Sequence, residues 1–356
     1  MMDISDLTGR IAVNVPLAAY STMRLGGSAA YMVEVSTADE VAAAYTWAAN
    51  RGLPYLVIGS GSNVIWRDEG FAGLIILNKL KGFSLEHLAD GGINFRIAAG
   101  ENWDGAVARS VEAHLSGIEA LSLVPGTAGA TPVQNVGAYG QDISQTLVDV
   151  EAYDTTSRAF VTIPAAECGF GYRTSRFKRE DRGRFIITAI TLRLSEQRML
   201  PPFYSALQKY FDEHGIADSS PDAIRQAVID IRSSKLPNPN LVANNGSFFA
   251  NPIISATTYA HLAAKHGEMQ HWPAAPVDGT EMVKLSAAWL IDQAGFKDYN
   301  DEATGMATWA TQPLVLVNIN AKSTADLLAF RQRITDAVQQ KFGVVLTQEP
   351  ELLPDA

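Results

Sequence analysis

This 356-residue chain has the composition of an acidic globular protein of two or three domains, with 47% hydrophobic residues, 19% charged residues and a net charge of −10. That charge argues against nucleic acid as a partner, because such partners require clustered cations. The single cysteine, Cys168, excludes a disulfide framework, and the spacing of the six histidines predicts no metal site. Residues 1–10 lack the apolar core of a signal peptide, and no apolar run reaches the ~18 residues of a membrane span. We therefore expect a cytoplasmic protein that does not insert into membranes.

The first ~75 residues alternate between helix and strand patterns, and residues 147–194 form a stretch rich in strand patterns. Thr37 and Glu40 have the spacing of a capping box and predict a helix that ends at Arg51-Gly52. The other elements predicted in this part are a helix over 103–115 and strands over 53–58, 71–77, 93–98, 147–153, 159–163 and 185–194.

Beyond Leu200-Pro201-Pro202 the pattern becomes largely helical. Ser220 as N-cap and Pro221 in the first turn predict a helix that runs to Ile231. The proline-rich run from Leu236 to Asn240 predicts an extended linker and a domain boundary. The later elements predicted are helices over 204–212, from 256, over 285–294 and over 323–342, and strands over 314–317 and 344–347.

The run from Val124 to Gly140 contains four glycines, two prolines and no charge. Glycine and proline disfavour a helix, and both make a poor strand. Bare backbone N–H groups held in turns form concave sites for anions, above all phosphates. The run therefore predicts a pyrophosphate-binding loop, although a surface loop rich in turn residues has the same composition.

A second glycine loop, Gly59-Ser60-Gly61-Ser62-Asn63, follows the predicted strand over 53–58. It differs from a Rossmann fingerprint because Val64 occupies the position of the third glycine and a short strand at Ile65-Trp66 follows instead of a helix. A P-loop sequence is also absent from the chain. Two phosphate-type loops that match neither the Rossmann fingerprint nor the P-loop indicate a nucleotide-binding fold of another type.

Three further positions have the chemistry of a reactive site. Ser247 lies on a polar turn before two aromatic residues that can exclude water, although such serines more often make a local hydrogen bond. Arg173 follows a tyrosine in the one strongly basic patch and presents a planar fork for carboxylate or phosphate, unless that patch is a solvated turn. Glu351 follows a predicted strand, where a carboxylate can do acid–base work or simply be solvated. Lys235 can contact a phosphate or cap its helix.

Taken together, these segments resemble the family of UDP-N-acetylenolpyruvoylglucosamine reductases. The resemblance covers nearly the whole chain, from Tyr20 to Glu351, and the order and spacing of the motifs make it specific. At Asn244-Asn245 the chain departs from the family, which more often has Asn-x-Ala or a similar sequence there. The matching motifs are 20–27, 58–64, 118–140, 171–173, 235–237, 246–252, 287–295 and 349–351.

The resemblance implies an α+β fold, with an FAD-binding module of the vanillyl-alcohol oxidase type and a C-terminal α+β domain that closes over the substrate. It implies non-covalent FAD, NADPH as hydride donor and a UDP-sugar as the small-molecule partner, in a monomer that serves peptidoglycan precursor synthesis. In the implied reaction, hydride passes from flavin N5 to C3 of UDP-N-acetylglucosamine enolpyruvate, which gives UDP-N-acetylmuramate. The implied segments are 1–78 and 79–235 for two FAD-binding subdomains, 236–343 for substrate binding and 344–356 for a return to the active site.

The resemblance also implies roles for individual residues. Arg173 stabilises the enolate, Ser247 protonates C2 and Glu351 binds at the same centre. Tyr204 places the chain in the class with a tyrosine-bearing loop over the uridine. The residues implied to bind substrate are Tyr172, Tyr204, Lys235, Asn251 and Gln312. The residues implied to bind FAD are Gly59, Ser60, Gly61, Ser62, Asn63, Pro125, Gly126, Gly129, Ala130, Thr131, Gln134, Asn135, Gly137, Ala138, Tyr139 and Gly140.

Two other functions remain possible at this point. One is a different oxidase of the same flavin fold, which often joins a His or Cys covalently to the flavin, yet neither glycine loop contains either residue. The other is a sugar-nucleotide-binding protein that has lost FAD, which predicts damaged glycine loops.

Overall fold

The computed structural model describes residues 7–355, which form mixed sheets with helices between them. The helices are α1 Ala38–Ala49, α2 Trp103–Glu112, α3 Ser205–His214, α4 Pro221–Lys235, α5 Ala256–His266, α6 Ala287–Ile291 and α7 Thr324–Phe342. The strands are β1 Ala12–Pro16, β2 Ser28–Val35, β3 Tyr55–Ile58, β4 Val64–Trp66, β5 Phe71–Asn78, β6 Phe83–His87, β7 Ile93–Ala98, β8 Gly137–Ala138, β9 Gln141–Asp142, β10 Leu147–Asp154, β11 Ala159–Pro164, β12 Phe185–Leu194, β13 Ala243–Ser247, β14 Ile253–Ser255, β15 His271–Val277, β16 Thr280–Leu285, β17 Asn300–Asp301, β18 Met306–Trp309, β19 Gln312–Asn318 and β20 Glu351–Leu353.

The contacts divide the chain into two compact units, and unit 1 consists of residues 1–15, 29–61 and 71–234. One of its sheets has the order β1-β2-β5-β3, in which β2 and β3 both run parallel to β5. The other is the antiparallel sheet β11-β10-β12-β7-β6. Apolar faces explain the packing of α1 and α2: Trp47 of α1 is buried with the strands of the first sheet, and Trp103 of α2 with those of the second.

Unit 2 consists of residues 16–28, 62–70 and 235–356. It holds the sheet β13-β19-β18-β17, the sheet β14-β16-β15 and the parallel pair β4-β20. The long helix α7 begins at a full capping box, in which Ser323 and Asp326 satisfy each other's backbone N–H groups. Its apolar stripe, which includes Phe330 and Ile334, is buried in the core of this unit.

These units differ from the four predicted segments because two short N-terminal stretches group with the C-terminal part. Residues 62–70 join unit 2 through the parallel pairing of β4 with β20. Residues 16–28 pack on them through glycines. A Cβ on Gly27 would lie 2.2 Å from the carbonyl oxygen of Asp68, and one on Gly70 would lie 2.1 Å from that of Ser28. These backbones therefore approach too closely for any side chain.

Most predicted elements are confirmed within a few residues, and the predicted α+β class is confirmed. Thr37 caps α1 by accepting a hydrogen bond from the N–H of Glu40, and β12 spans the predicted residues. The predicted strand over 344–347 is wrong: the ladder in this region is β20, which begins seven residues further on. The helix predicted over 285–294 is shorter, because α6 passes into a π turn, Asp292–Phe296, in which Gly295 has a non-helical φ of 92°.

Within residues 7–355, no helix combines the length and the apolar character that crossing a membrane requires.

Cys168 provides a probe of unit 1, because its side chain is fully buried and burial raises the pKa of its thiol to about 11. The thiolate is the reactive form, and an ordinary thiol has a pKa of about 8.5. We therefore expect the folded protein to resist Ellman's reagent near that pH and the guanidinium-unfolded protein to react at once. Cys168→Ala is the blank, and stoichiometric labelling of the folded protein would contradict the burial.

Candidate active site

The two glycine loops lie against each other in unit 1. The first follows β3, and at its start a Cβ on Gly59 would lie only 2.3 Å from Oγ1 of Thr127 in the second loop. The absence of a side chain at Gly59 therefore permits this contact. The sequence predicted two separate phosphate-type loops, and the structure brings them together.

The first loop presents unused backbone donors. Within the described part of the chain, the N–H groups of Gly59, Ser60 and Gly61 donate no hydrogen bond, and Gly61 has φ of 69°. Consecutive N–H groups in such a turn form a concave site for an anion. These residues therefore fit the pyrophosphate of a dinucleotide such as FAD.

The second loop is shaped by a helical turn and a hairpin. Gly129, in the turn Ala128–Ala130, donates its N–H to the carbonyl oxygen of Ala99, and a Cβ there would lie 2.5 Å from the Cβ of Ala99. Strands β8 and β9 then form a two-residue hairpin, in which Tyr139 and Gly140 have φ of 50° and 87°. Two consecutive positive φ angles are typical of a type I′ turn.

A half-buried ion pair anchors the start of the second loop, and the sequence did not indicate it. Asp104, in the first turn of α2, accepts a 2.7 Å hydrogen bond from the N–H of Leu123 and bonds of 2.7 and 3.1 Å from Arg225 of α4. Burial would raise the pKa of Asp104, but these bonds outweigh it and hold the pKa below its usual value. The carboxylate therefore stays ionised and fixes the backbone that leads into the loop.

Arg173 lies on a tight turn beside the second loop. Gly171 and Thr174 exchange backbone hydrogen bonds across it, so that Tyr172 and Arg173 are its central residues. The guanidinium group of Arg173 donates to the carbonyl oxygens of Gly137 at 2.6 Å and Asn135 at 3.4 Å. The second glycine loop therefore holds this predicted catalytic cation in place.

Both predicted substrate-binding tyrosines are partly exposed in unit 1. Tyr172 stacks near the guanidinium group of Arg173, with 5.4 Å between ring centre and guanidinium carbon. Tyr204 precedes α3, and its ring lies 6.0 Å from that of Tyr139, edge to face. The structure therefore brings Tyr204 to the β8–β9 hairpin, which sequence reasoning did not predict.

Ser247 lies at the end of β13 in unit 2, on the far side of a β-bulge. Asn244 pairs with Val317 and Ser247 with Val315, so that β13 has one more residue than β19 between these pairs. The bulge leaves Ser247 exposed and Phe248 buried. Phe248 and Phe249 belong to the core of this unit, so our expectation that both exclude water at the reactive serine is not supported.

Glu351 belongs to the same unit and is tied to the same region. The chain after Ser247 runs alongside the chain before Glu351, with hydrogen bonds from the Ala250 N–H to the Thr347 carbonyl oxygen and from the Glu349 N–H to that of Phe248. Glu351 itself begins β20, and its N–H donates at 2.9 Å to the carbonyl oxygen of Asn63. Within unit 2, the segments that carry Ser247 and Glu351 are therefore hydrogen-bonded to each other, and Glu351 is also bound to Asn63.

The other predicted substrate-binding residues also lie in unit 2. Lys235 is exposed, and its carbonyl oxygen accepts a 2.8 Å hydrogen bond from Thr311, which precedes Gln312 at the start of β19. The segments that contain Lys235 and Gln312 are therefore hydrogen-bonded to each other. Asn251 is placed by α6, because its Oδ1 accepts a 2.9 Å hydrogen bond from the N–H of Ala287.

Comparisons with known proteins show the family to which the chain belongs. Residues 29–161 match a family model described as FAD binding domain, and residues 238–353 match one described as UDP-N-acetylenolpyruvoylglucosamine reductase, C-terminal domain. A UDP-N-acetylenolpyruvoylglucosamine reductase from Thermobifida fusca (strain YX) is 41% identical over 98% of this chain and 99% of its own length. The enzyme of the same name from Cupriavidus pinatubonensis is 39% identical over 95% of this chain and 98% of its own.

The fold is also that of a solved reductase. The crystal structure of UDP-N-acetylenolpyruvylglucosamine reductase (MurB) from Thermus caldophilus has a TM-score of 0.67 at 23% identity, over 97% of this chain and 99% of that one. At that identity the likeness shows the fold, and the full-length sequence matches show the relationship. This chain therefore belongs to the UDP-N-acetylenolpyruvoylglucosamine reductase family, and it is an FAD-binding oxidoreductase.

Proposed function

We propose that this protein reduces UDP-N-acetylglucosamine enolpyruvate to UDP-N-acetylmuramate with NADPH, in the cytoplasmic synthesis of peptidoglycan precursors. The observation that carries this proposal is the 41% identity, over 98% of the chain, to a reductase named for that substrate. Bound FAD would supply the redox chemistry, which is the relay of a hydride from NADPH to the enol ether, and the two glycine loops would hold it. The chain's own residues bind the reactants, stabilise the negative charge that develops and donate the proton.

The glycine loops hold the FAD. The N–H groups of Gly59, Ser60 and Gly61 would bind its pyrophosphate, and the close approach of Gly59 to Thr127 fixes the first loop on the second. Binding by backbone dipoles needs no Lys or Arg, which explains an uncharged loop in a protein of net charge −10.

Arg173 stabilises the negative charge that develops when hydride reaches C3. That charge arises at C2 and spreads into the adjacent carboxylate, where a planar guanidinium can bind two oxygens. The Gly137 and Asn135 carbonyl oxygens hold the cation before the reaction, so that no reorganisation is needed as the charge develops.

Ser247 donates the proton to C2, and Glu351 assists at the same centre. A serine hydroxyl is a weak acid and can protonate only a strongly basic carbon, which the enolate provides. Ser247 is exposed at the end of β13, where it can reach a bound substrate, and the paired segments before Glu351 hold that carboxyl group in the same unit.

The remaining residues bind the sugar nucleotide. Lys235 presents an exposed ammonium group for a phosphate of UDP, next to Gln312. Because the Oδ1 of Asn251 is used by α6, its NH₂ group is the one that contacts the substrate. The ring of Tyr204, supported by Tyr139, covers the uridine.

The visible absorption spectrum of the purified protein tests the proposed reaction directly. We expect a flavin spectrum that bleaches with NADPH under anaerobic conditions and returns when UDP-N-acetylglucosamine enolpyruvate is added. A flavin that bleaches but does not return would instead indicate a different oxidoreductase. A colourless protein that takes up no FAD would contradict the flavoenzyme and leave a sugar-nucleotide-binding protein.

Gly59→Ala tests the contact between the glycine loops. The new Cβ would meet Thr127 at 2.3 Å, so the first loop must shift and its N–H groups must leave their positions. We expect FAD affinity to fall by about tenfold or more, with a cost to stability of about 1–3 kcal/mol from the clash. The measurement is FAD binding to the apoprotein by fluorescence quenching.

Gly9→Ala is the matched control for that variant, because its Cβ has no atom within 4 Å and its φ is not positive. Unchanged FAD affinity in Gly59→Ala would contradict the role assigned to the first loop.

Ser247→Ala separates the two halves of the reaction. Because Ser247 is assigned to the proton and not to hydride transfer from NADPH, we expect flavin reduction to keep its rate. Reoxidation by the enolpyruvyl substrate should fall by about 10²–10⁴-fold, the usual contribution of a positioned general acid. Stopped-flow absorbance follows each half separately.

Ser84→Ala, at an exposed position of β6, is the control for the loss of a serine hydroxyl. Equal loss of both halves in Ser247→Ala would show that Ser247 is structural and not the proton donor.

A further inference from the structure

Asn245, on the bulge that precedes Ser247, is buried and carries an unusual set of hydrogen bonds. Its Nδ2 donates to Oγ1 of Thr22 at 3.1 Å and to the carbonyl oxygens of Ser62 at 3.1 Å and Val64 at 3.4 Å. All four residues belong to unit 2. The two carbonyl oxygens can only accept, so the amide must present its NH₂ group to them.

The acceptor side of the same amide is not satisfied. Oδ1 of Asn245 is buried and, within the described residues, accepts no hydrogen bond. A buried acceptor without a partner costs free energy. An apolar side chain at this position would avoid that cost, so the bonds made by the NH₂ group are the reason that an asparagine is useful here.

The bulge is fixed independently of Asn245. Oδ1 of the neighbouring Asn244 accepts a 2.8 Å hydrogen bond from the N–H of Gly246, and Gly246 takes φ of 69°. The bulge therefore forms without the Asn245 amide. What the amide adds is a link between the bulge and the segment Ser62–Val64, which is the end of the first glycine loop and the start of β4.

The opposite anchor of that segment is the strand that carries Glu351. The N–H of Glu351 binds the Asn63 carbonyl oxygen, between the two carbonyl oxygens that Asn245 binds. The carbonyl oxygens of Ser62 and Val64 thus receive hydrogen bonds from Asn245, two residues before Ser247. The carbonyl oxygen of Asn63 receives one from Glu351. A shift of either the bulge before Ser247 or the strand that carries Glu351 would change the distance between the Ser247 and Glu351 side chains.

We propose that Asn245 is a positioning residue for proton transfer, which sets Ser247 against the Ser62–Val64 segment and so against Glu351. It does not touch the substrate, and it acts through the bulge. Since this role rests on the proposed function, the test needs one readout that depends on the reaction and one that does not.

The first readout is the pair of half-reactions in Asn245→Ala. Misplacement of the proton donor should slow reoxidation by UDP-N-acetylglucosamine enolpyruvate by about tenfold to a hundredfold, since a displacement of ~1 Å can have that effect. Flavin reduction by NADPH should change by less than about twofold. In the Ser247→Ala background, Asn245→Ala should slow reoxidation little further, because the effects of substituting residues that act as a unit are not additive.

The second readout is amide hydrogen exchange of the oxidised holoenzyme without substrate. In Asn245→Ala we expect faster exchange in peptides that contain 62–66 and 243–249, because the link between them is gone. Ile334→Val, in the buried core of the same unit, is the control for a general loss of stability and should leave reoxidation unchanged.

The outcomes are separable. If wild-type protein is not reoxidised by the substrate, the proposed function fails, and unchanged exchange in Asn245→Ala would then overturn the link as well. If wild-type protein is reoxidised but Asn245→Ala matches it, Asn245 does not position the donor. Additive losses in the double variant, or parallel slowing in Ile334→Val, would show that Asn245 only stabilises the fold.

Discussion

The hydrogen bonds of the segment Ser62–Val64 are the constraint on which the reactive part of unit 2 depends. One side of this segment pairs with β20 in parallel register, and Glu351 lies opposite Val64. The other contacts run from its carbonyl oxygens to the amide of Asn245, two residues before Ser247. Side chains alternate between the faces of a strand, so a slip of one residue in β20 would turn Glu351 to the opposite face. Backbone register and the amide of Asn245 therefore set the positions of the two residues that we propose to react.

In unit 1, close packing at glycines fixes the backbone of the two loops. Gly59, Gly129 and Gly137 occur where another residue takes the space of a Cβ: Thr127, Ala99 and, for Gly137, Asp142 at 2.8 Å with Arg173 at 3.1 Å. Each glycine brings one backbone against another element, so the N–H dipoles are held by packing. A loop of this kind binds an anion without charged side chains, which is consistent with an acidic protein that acts on phosphorylated partners.

The sequence predicted what is local, and it missed what depends on distant pairing. The glycine loops, the cap at Thr37 and strand β12 all follow from patterns within a few residues. The pairing of Asp104 with Arg225 joins positions 121 residues apart, and no local pattern reports it. The strand predicted over 344–347 failed for a related reason. Its apolar residues pack in the core without a ladder, whereas β20 exists only because β4 offers it an edge.

Backbone strain in unit 1 indicates where side chains matter most. Asn135, Tyr139 and Arg173 all have positive φ, between 47° and 55°, a region that costs a non-glycine residue about 1–3 kcal/mol. Glycine would remove that cost, but it would also remove the contacts of these side chains. Asn135 accepts from the Ser144 N–H and donates to the Gly171 carbonyl oxygen, Tyr139 supports Tyr204, and Arg173 binds the Gly137 carbonyl oxygen. These three strained positions lie in or beside the second glycine loop, where they hold a tyrosine and a cation in fixed positions.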